Sequence, residues 1–239
     1  MTSTACTAWS SSSKFVADRL KLRSFRDALF ILSFLVVTVH RGSAQVAKNA
    51  PGAGPVGGAE SMYRGGIVSP PLPKPKFTLI DTSGAPFDFS SKTQGYVTLL
   101  FFGYTHCPDM CPLQMDLIER ALKRLPADSA DQFKVVFVTT DPERDSPQVL
   151  RSWLDHFDKR FIGLTGTDAA IDAAQIAANL SPAKKSAVRP DGAYEVGHAA
   201  FLLAYTKDNL AHVIYPAGVQ VVDLAHDLPY LAKEKWSSR

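Results

Sequence analysis

Between Tyr96 and Phe102 the chain reads YVTLLFF, a continuous apolar run that stops at Gly103. A strand with one face in water alternates polar and apolar residues, so a run without alternation describes a strand covered on both faces. Such a strand needs helices on either side of its sheet, and the flanking sequence supplies them. After a short loop holding Cys107 and Cys111, an amphipathic helix is predicted over Pro112–Leu125, ended by Pro126, and a second apolar strand follows over Lys134–Thr139. Strand, cysteine loop, helix, strand is the order of an α/β domain with a partly parallel, mixed central sheet flanked by helices.

The later elements follow the same alternation. Ser146-Pro147 opens a helix to about Phe157, with a capping serine and a proline at the first helical position, and Phe161–Leu164 is a short strand. Asp168 is expected to cap a helix to Asn179, and Pro182–Gly192 reads as a charged loop. A C-terminal β-hairpin is predicted from Ala199–Tyr205 and Ala211–Tyr215 around Lys207-Asp208-Asn209, then a final helix over Leu224–Glu234. Trp153, Phe157 and Phe161 have ordinary core spacing. The charged turn Asp141, Glu143, Arg144, Asp145 is expected to be solvated and to cap the helix that follows.

Ahead of this domain, residues 45–75 are rich in Pro, Gly and Ala without apolar periodicity, so they read as a flexible linker, with a candidate strand at Phe77–Ile80 opening the domain 76–239. Residues 1–44 read as an export signal or membrane anchor: a basic segment, the apolar run Ala28–Val39, then Arg41-Gly42-Ser43-Ala44. As a helix that run rises only about 18 Å, short of the roughly 30 Å hydrocarbon core, which favours a signal over a spanning helix. The formal charge of +3 belongs to this segment. Without its six Lys/Arg and two Asp the remainder holds twenty bases and twenty-one acids, which argues against a nucleic-acid partner.

Cys6 falls in the exported segment, leaving Cys107 and Cys111. Two cysteines do not staple an exported scaffold, so the pair reads as a site. They lie four positions apart at a helix N-terminus, where backbone N–H groups and the helix dipole favour thiolate, and their side chains fall on one face. The shared target is a metal or a disulfide partner. Two thiolates suit Cu(I) and Zn(II), and an imidazole completes a copper-preferring set. His106, His156, His198, His212 and His226 are the candidates, and His198 stands just before an apolar strand. Met110 is assigned to packing, and Tyr104 and Phe102 to shielding the site from water.

The segment Gly103-Tyr104-Thr105-His106-Cys107-Pro108-Asp109-Met110-Cys111-Pro112 resembles the signature of the Sco/SenC family of copper chaperones for cytochrome c oxidase. Further segments match in order: Asp141-Pro142-Glu143-Arg144-Asp145 before Ser146-Pro147, then Gly163-Leu164-Thr165-Gly166, then Gly197-His198 where the family keeps its ligand histidine. The match covers roughly Lys76–Lys233.

The resemblance implies a thioredoxin-like fold, one copper ion, Cu(I) or Cu(II), held by Cys107, Cys111 and His198, and delivery of copper to the dinuclear site of oxidase subunit II or to another copper client. It implies a periplasmic location, soluble or tethered to the inner membrane. The family commonly brackets its histidine with Asp and Ser or Thr, whereas here Gly197 and Ala199 do so, which thins the polar surroundings of the ring. The alternative is a thiol-disulfide oxidoreductase, with Cys107 attacking, Cys111 resolving and a thiol reductant as partner. Three residues between the cysteines, and His198 where thioredoxin-type enzymes usually place proline, favour copper.

Overall fold

The structure, a computed structural model, describes residues 62–233, so the segment expected to direct export, Cys6 and the first part of the expected linker lie outside the described residues. Its strands are β1 (Gly66–Pro73), β2 (Thr78–Asp81), β3 (Pro86–Asp88), β4 (Val97–Gly103), β5 (Phe133–Thr139), β6 (Ile162–Thr165), β7 (Lys184–Lys185), β8 (Val196–Gly197), β9 (Leu202–Tyr205) and β10 (Leu210–Tyr215). The helices are α1 (Phe89–Lys92), α2 (Met110–Leu122), α3 (Ala127–Ala130), α4 (Pro147–Leu154), α5 (Asp168–Ala177) and α6 (Val221–Lys233).

Every residue of β4 is buried, as its unbroken apolar run requires. It lies inside a mixed sheet of order β1-β10-β9-β4-β5-β6-β2-β3, parallel to β5 and antiparallel to β9. Its side chains alternate between two cores. Val97, Leu99 and Phe101 face α2, α4 and α6, while Leu100 and Phe102 face α1 and α5. Each fully buried phenylalanine contributes roughly 2–3 kcal/mol. With the β9–β10 hairpin and α6 closing the chain, this is the thioredoxin-like fold.

Local capping behaves as its chemistry dictates. Ser146 accepts the Val149 N–H with Pro147 in the first turn of α4, and α5 is capped by Thr167, one residue before the expected Asp168. The linker reading needs correction over Gly66–Pro73, which forms the edge strand β1 against β10. Proline lacks an N–H to donate, so an edge strand with an interrupted register accommodates Pro70, Pro71 and Pro73 where an interior strand would not. Asp227, fully buried in α6, receives the N–H groups of Arg64 and Gly65 and the Tyr215 hydroxyl, so the ordered domain begins before the expected Lys76.

Just beyond β1, Lys74 is buried, and its ammonium donates to the Thr93 carbonyl and to the Thr93 and Thr98 hydroxyls. Burial pushes its pKa down to about 8, against a smaller upward pull from Asp208 and a small downward push from Lys134. Between about pH 8 and 10.5 the unfolded chain then holds a proton that the folded chain has released, so stability rises with pH across that window. Relative to Lys74→Met, the wild type gains unfolding free energy from pH 7.5 to 10 in urea titrations. Parallel curves would contradict the cost assigned to the buried charge.

Candidate metal centre

The site is built where β4 ends. Gly103 is the last strand residue, Tyr104–Asp109 turn the chain, and α2 begins at Met110. A helix start leaves N–H groups without helical partners, and the capping residue Asp109 makes no side-chain bond to them. Cys107 takes that place: its Sγ accepts the Cys111 N–H at 3.4 Å. Cys107 is half-buried and Cys111 fully buried, and both are free thiols.

Their environments separate the two sulfurs. The Cys111 S–H donating to Cys107, helped by the N–H groups of Cys111 and Asp109 and by the His198 ring, draws the Cys107 pKa down to about 4 against the opposing effect of burial. The same shared proton, with burial, drives Cys111 strongly upward. The reduced pair is therefore an outward thiolate and an inward thiol. Iodoacetamide will label Cys107 at pH 6 nearly as fast as at pH 8 in metal-free protein. A rate that climbs about tenfold per pH unit through that range would refute the assignment.

His198 arrives through sheet pairing. Strand β9 runs antiparallel to β4, with Leu203 opposite Leu100, so the residues preceding β9 lie beside the cysteine end of β4. The imidazole Nε2 sits 3.4 Å from Cys111 Sγ, although 87 positions separate them in sequence. The Cys107, Cys111 and His198 donor atoms all lie within 4.8 Å of one another, and no other such group occurs among the described residues. A sulfur and a nitrogen can bind one ion at about 2.3 and 2.0 Å, so these three can converge on a single centre.

The other histidines among the described residues are engaged elsewhere. His106 bonds Thr105 and lies 3.6 Å from Asp145, His156 meets the Trp153 carbonyl, His212 pairs with Asp208, and His226 with Asp227. Aromatic edges frame the His198 ring: Phe101 at 5.9 Å and Tyr104 at 5.8 Å, both near perpendicular. Phe101 replaces the expected Phe102, because strand alternation sends Phe102 to the opposite core. His198 Nδ1 is buried without a hydrogen-bond partner among the described residues, in keeping with Gly197 and Ala199 beside it.

The charged turn after β5 is not solvated throughout. Asp141 and Asp145 are fully buried. Asp145 accepts from the Thr105 N–H and hydroxyl and from the Thr139 hydroxyl, which ties the cysteine loop to the end of β5. Asp145→Ala strands these donors, and we expect a loss of about 3 kcal/mol in urea unfolding of the metal-free protein. A change below about 0.5 kcal/mol would show that the contacts carry no weight. Periodicity gave no sign of these buried carboxylates. Tyr194, which meets Asp141 from just beyond the charged loop, left no sequence signal at all.

Residues 69–232 match the family model described as SCO1/SenC. The chain belongs to the SCO1/SenC family. A protein of Stutzerimonas stutzeri whose name proposes copper binding is 32% identical, over 66% of this chain and 76% of its own length. The SCO2-like protein of Rickettsia prowazekii is 33% identical over 55% of this chain and 63% of its own length, so this family member spans somewhat under two thirds of that relative. Among solved structures, apo Sco1 of Thermus thermophilus superposes with a TM-score of 0.64 at 32% identity, covering 73% of this chain and 99% of that one. ScoI of Bradyrhizobium japonicum with copper bound gives 0.59 at 31% identity, covering 67% and 99%.

Proposed function

We propose that this family member is a copper-binding metallochaperone that holds one copper ion with Cys107, Cys111 and the Nε2 of His198 and acts in cytochrome c oxidase assembly, handing the ion to the dinuclear site of subunit II. The observation that carries the reading is the convergence of two sulfurs and one imidazole nitrogen within 4.8 Å. Two soft thiolates favour Cu(I), and the added imidazole accommodates Cu(II), so one site can hold either state. The copper-bound ScoI of Bradyrhizobium japonicum supports the choice of metal. Partly exposed Cys107 and His198 offer the outgoing ion to a client's ligands, while buried Cys111 keeps hold of it until the exchange is complete.

The same reading places the chain outside the cytoplasm, exported by residues 1–44 to the periplasm and either soluble or anchored to the inner membrane. Residues 45–61 then serve as the tether to the domain. Among the described residues no helix is long and apolar enough to cross a membrane.

The difference in exposure between the thiols favours a second reading as a thiol-disulfide oxidoreductase. Cys107 thiolate would attack a client disulfide and expel one client thiolate. The Cys111 sulfur would then displace the second client thiolate, its proton passing to the leaving sulfur, so the client is reduced and this chain oxidised. Copper titration of the reduced full chain separates the readings. One tightly held equivalent with a thiolate charge-transfer band, lost in both Cys107→Ser and Cys111→Ser, is the result expected of the chaperone. Weak copper binding with rapid exchange against a disulfide substrate would favour the oxidoreductase.

A further inference from the structure

The ligand histidine and the ligand cysteines sit on different segments, and one side chain touches the supports of both. Arg144, in the turn after β5, pairs through Nε with the buried Asp141 carboxylate and donates from a terminal nitrogen to the Tyr194 carbonyl at 3.3 Å. Its guanidinium lies 3.7 Å from the centre of the Tyr194 ring and 5.7 Å from that of Tyr104. The Tyr194 hydroxyl closes the circuit by donating to Asp141 at 2.9 Å.

Tyr194 stands four positions before His198, on the segment that β8 pins to β7, and the Tyr104 ring edge meets the His198 ring. From Asp141 the polar chain continues to the cysteine loop. The Asp141 N–H donates to the Thr139 hydroxyl, that hydroxyl donates to Asp145, and Asp145 holds Thr105, two positions before Cys107. With no hydrogen bond on His198 Nδ1 among the described residues, the ring is placed from outside, by its neighbours and by the backbone that carries it.

We propose that Arg144 is a positioning residue for the metal: by clamping Tyr194 and covering Tyr104 it sets the distance between His198 Nε2 and the two sulfurs. This rests on the reading of Cys107, Cys111 and His198 as the copper ligands. A planar guanidinium that stacks on a ring while hydrogen-bonding along its edge does this where an ammonium does not. Supports of a metal-bound imidazole typically govern affinity by 10–100-fold.

The test compares the reduced full-length wild type, Arg144→Gln and Arg144→Lys by Cu(II) and Cu(I) competition titration and by Cu(II) EPR. Arg144→Gln weakens Cu(II) on the order of 10–100-fold with an altered EPR spectrum, holds Cu(I) nearly as wild type through the two thiolates, and is not rescued by lysine. Wild-type Cu(II) affinity and spectrum in Arg144→Gln, full rescue by lysine, or an equal fall for both oxidation states would overturn the proposal. A wild type that takes up no copper sinks the functional reading itself. The clamp is then judged in metal-free protein by hydrogen exchange at the Ser186 and Arg189 amides, which pair with Glu195 and Ala193 across this segment. Faster exchange there in Arg144→Gln, with β4 and β5 unchanged, supports it, and equal exchange refutes it.

Discussion

His198→Ala will lose tight Cu(II) binding while the cysteine pair keeps its chemistry. The imidazole is the one nitrogen donor of the set, and Cu(II) gains more from nitrogen than Cu(I), which two thiolates satisfy. Altering an imidazole's supports costs about 10–100-fold in affinity, so removing the ring itself costs more than that for Cu(II). The fold should survive. Alanine removes two edge-to-face contacts, with Phe101 and Tyr104, worth roughly 1 kcal/mol each. Competition titration with a Cu(II) chelator reads the affinity, and thiol titration confirms that both cysteines remain reducible and reactive. Unchanged Cu(II) affinity would remove His198 from the ligand set and leave the oxidoreductase as the better account.

Gly103→Ala attacks the site from beneath. A Cβ at this position would lie 2.7 Å from Cys111 Sγ and 2.9 Å from a carbon of the Phe101 ring, with Phe137 at 3.2 Å. All three neighbours are buried in the same core, and the cysteine, the smallest of them and held by a single side-chain torsion, is the one that must turn. Overpacking of this kind costs about 1–3 kcal/mol, which urea unfolding will show. Turning Cys111 from its rotamer also breaks the convergence with Cys107 and His198, and we expect the copper affinity to fall at least as far as for loss of a supporting group, on the order of 100-fold. Wild-type copper affinity in a folded Gly103→Ala protein would mean that the sulfur does not need the space the glycine leaves.

Much of the architecture was legible because it is written locally. The unbroken run in β4, the Ser146-Pro147 start of α4 and the Asn209 turn between β9 and β10 each follow from backbone and side-chain physics within a few residues. The cysteine loop was legible for the same reason, since a helix N-terminus imposes its electrostatics on whatever sulfur stands there. The edge strand β1 was not, because its prolines look like a linker until β10 supplies a partner. Nor was the burial of Asp141 and Asp145, since a carboxylate is accepted inside only when donors from other segments converge on it.

By itself the sequence determined which strand had to be central, that the cysteine pair stood at a helix start as a site, and, through its motifs, the family resemblance that singled out His198. Tertiary structure alone decided that β9 lies against β4, which is what carries His198 to the sulfurs across 87 positions. It also decided that Phe101, not Phe102, meets the ring, and that Arg144 and Tyr194 bridge the two halves of the site. Periodicity and capping are properties of neighbours along the chain, whereas convergence of ligands depends on strand order, and strand order is set by packing of the whole sheet.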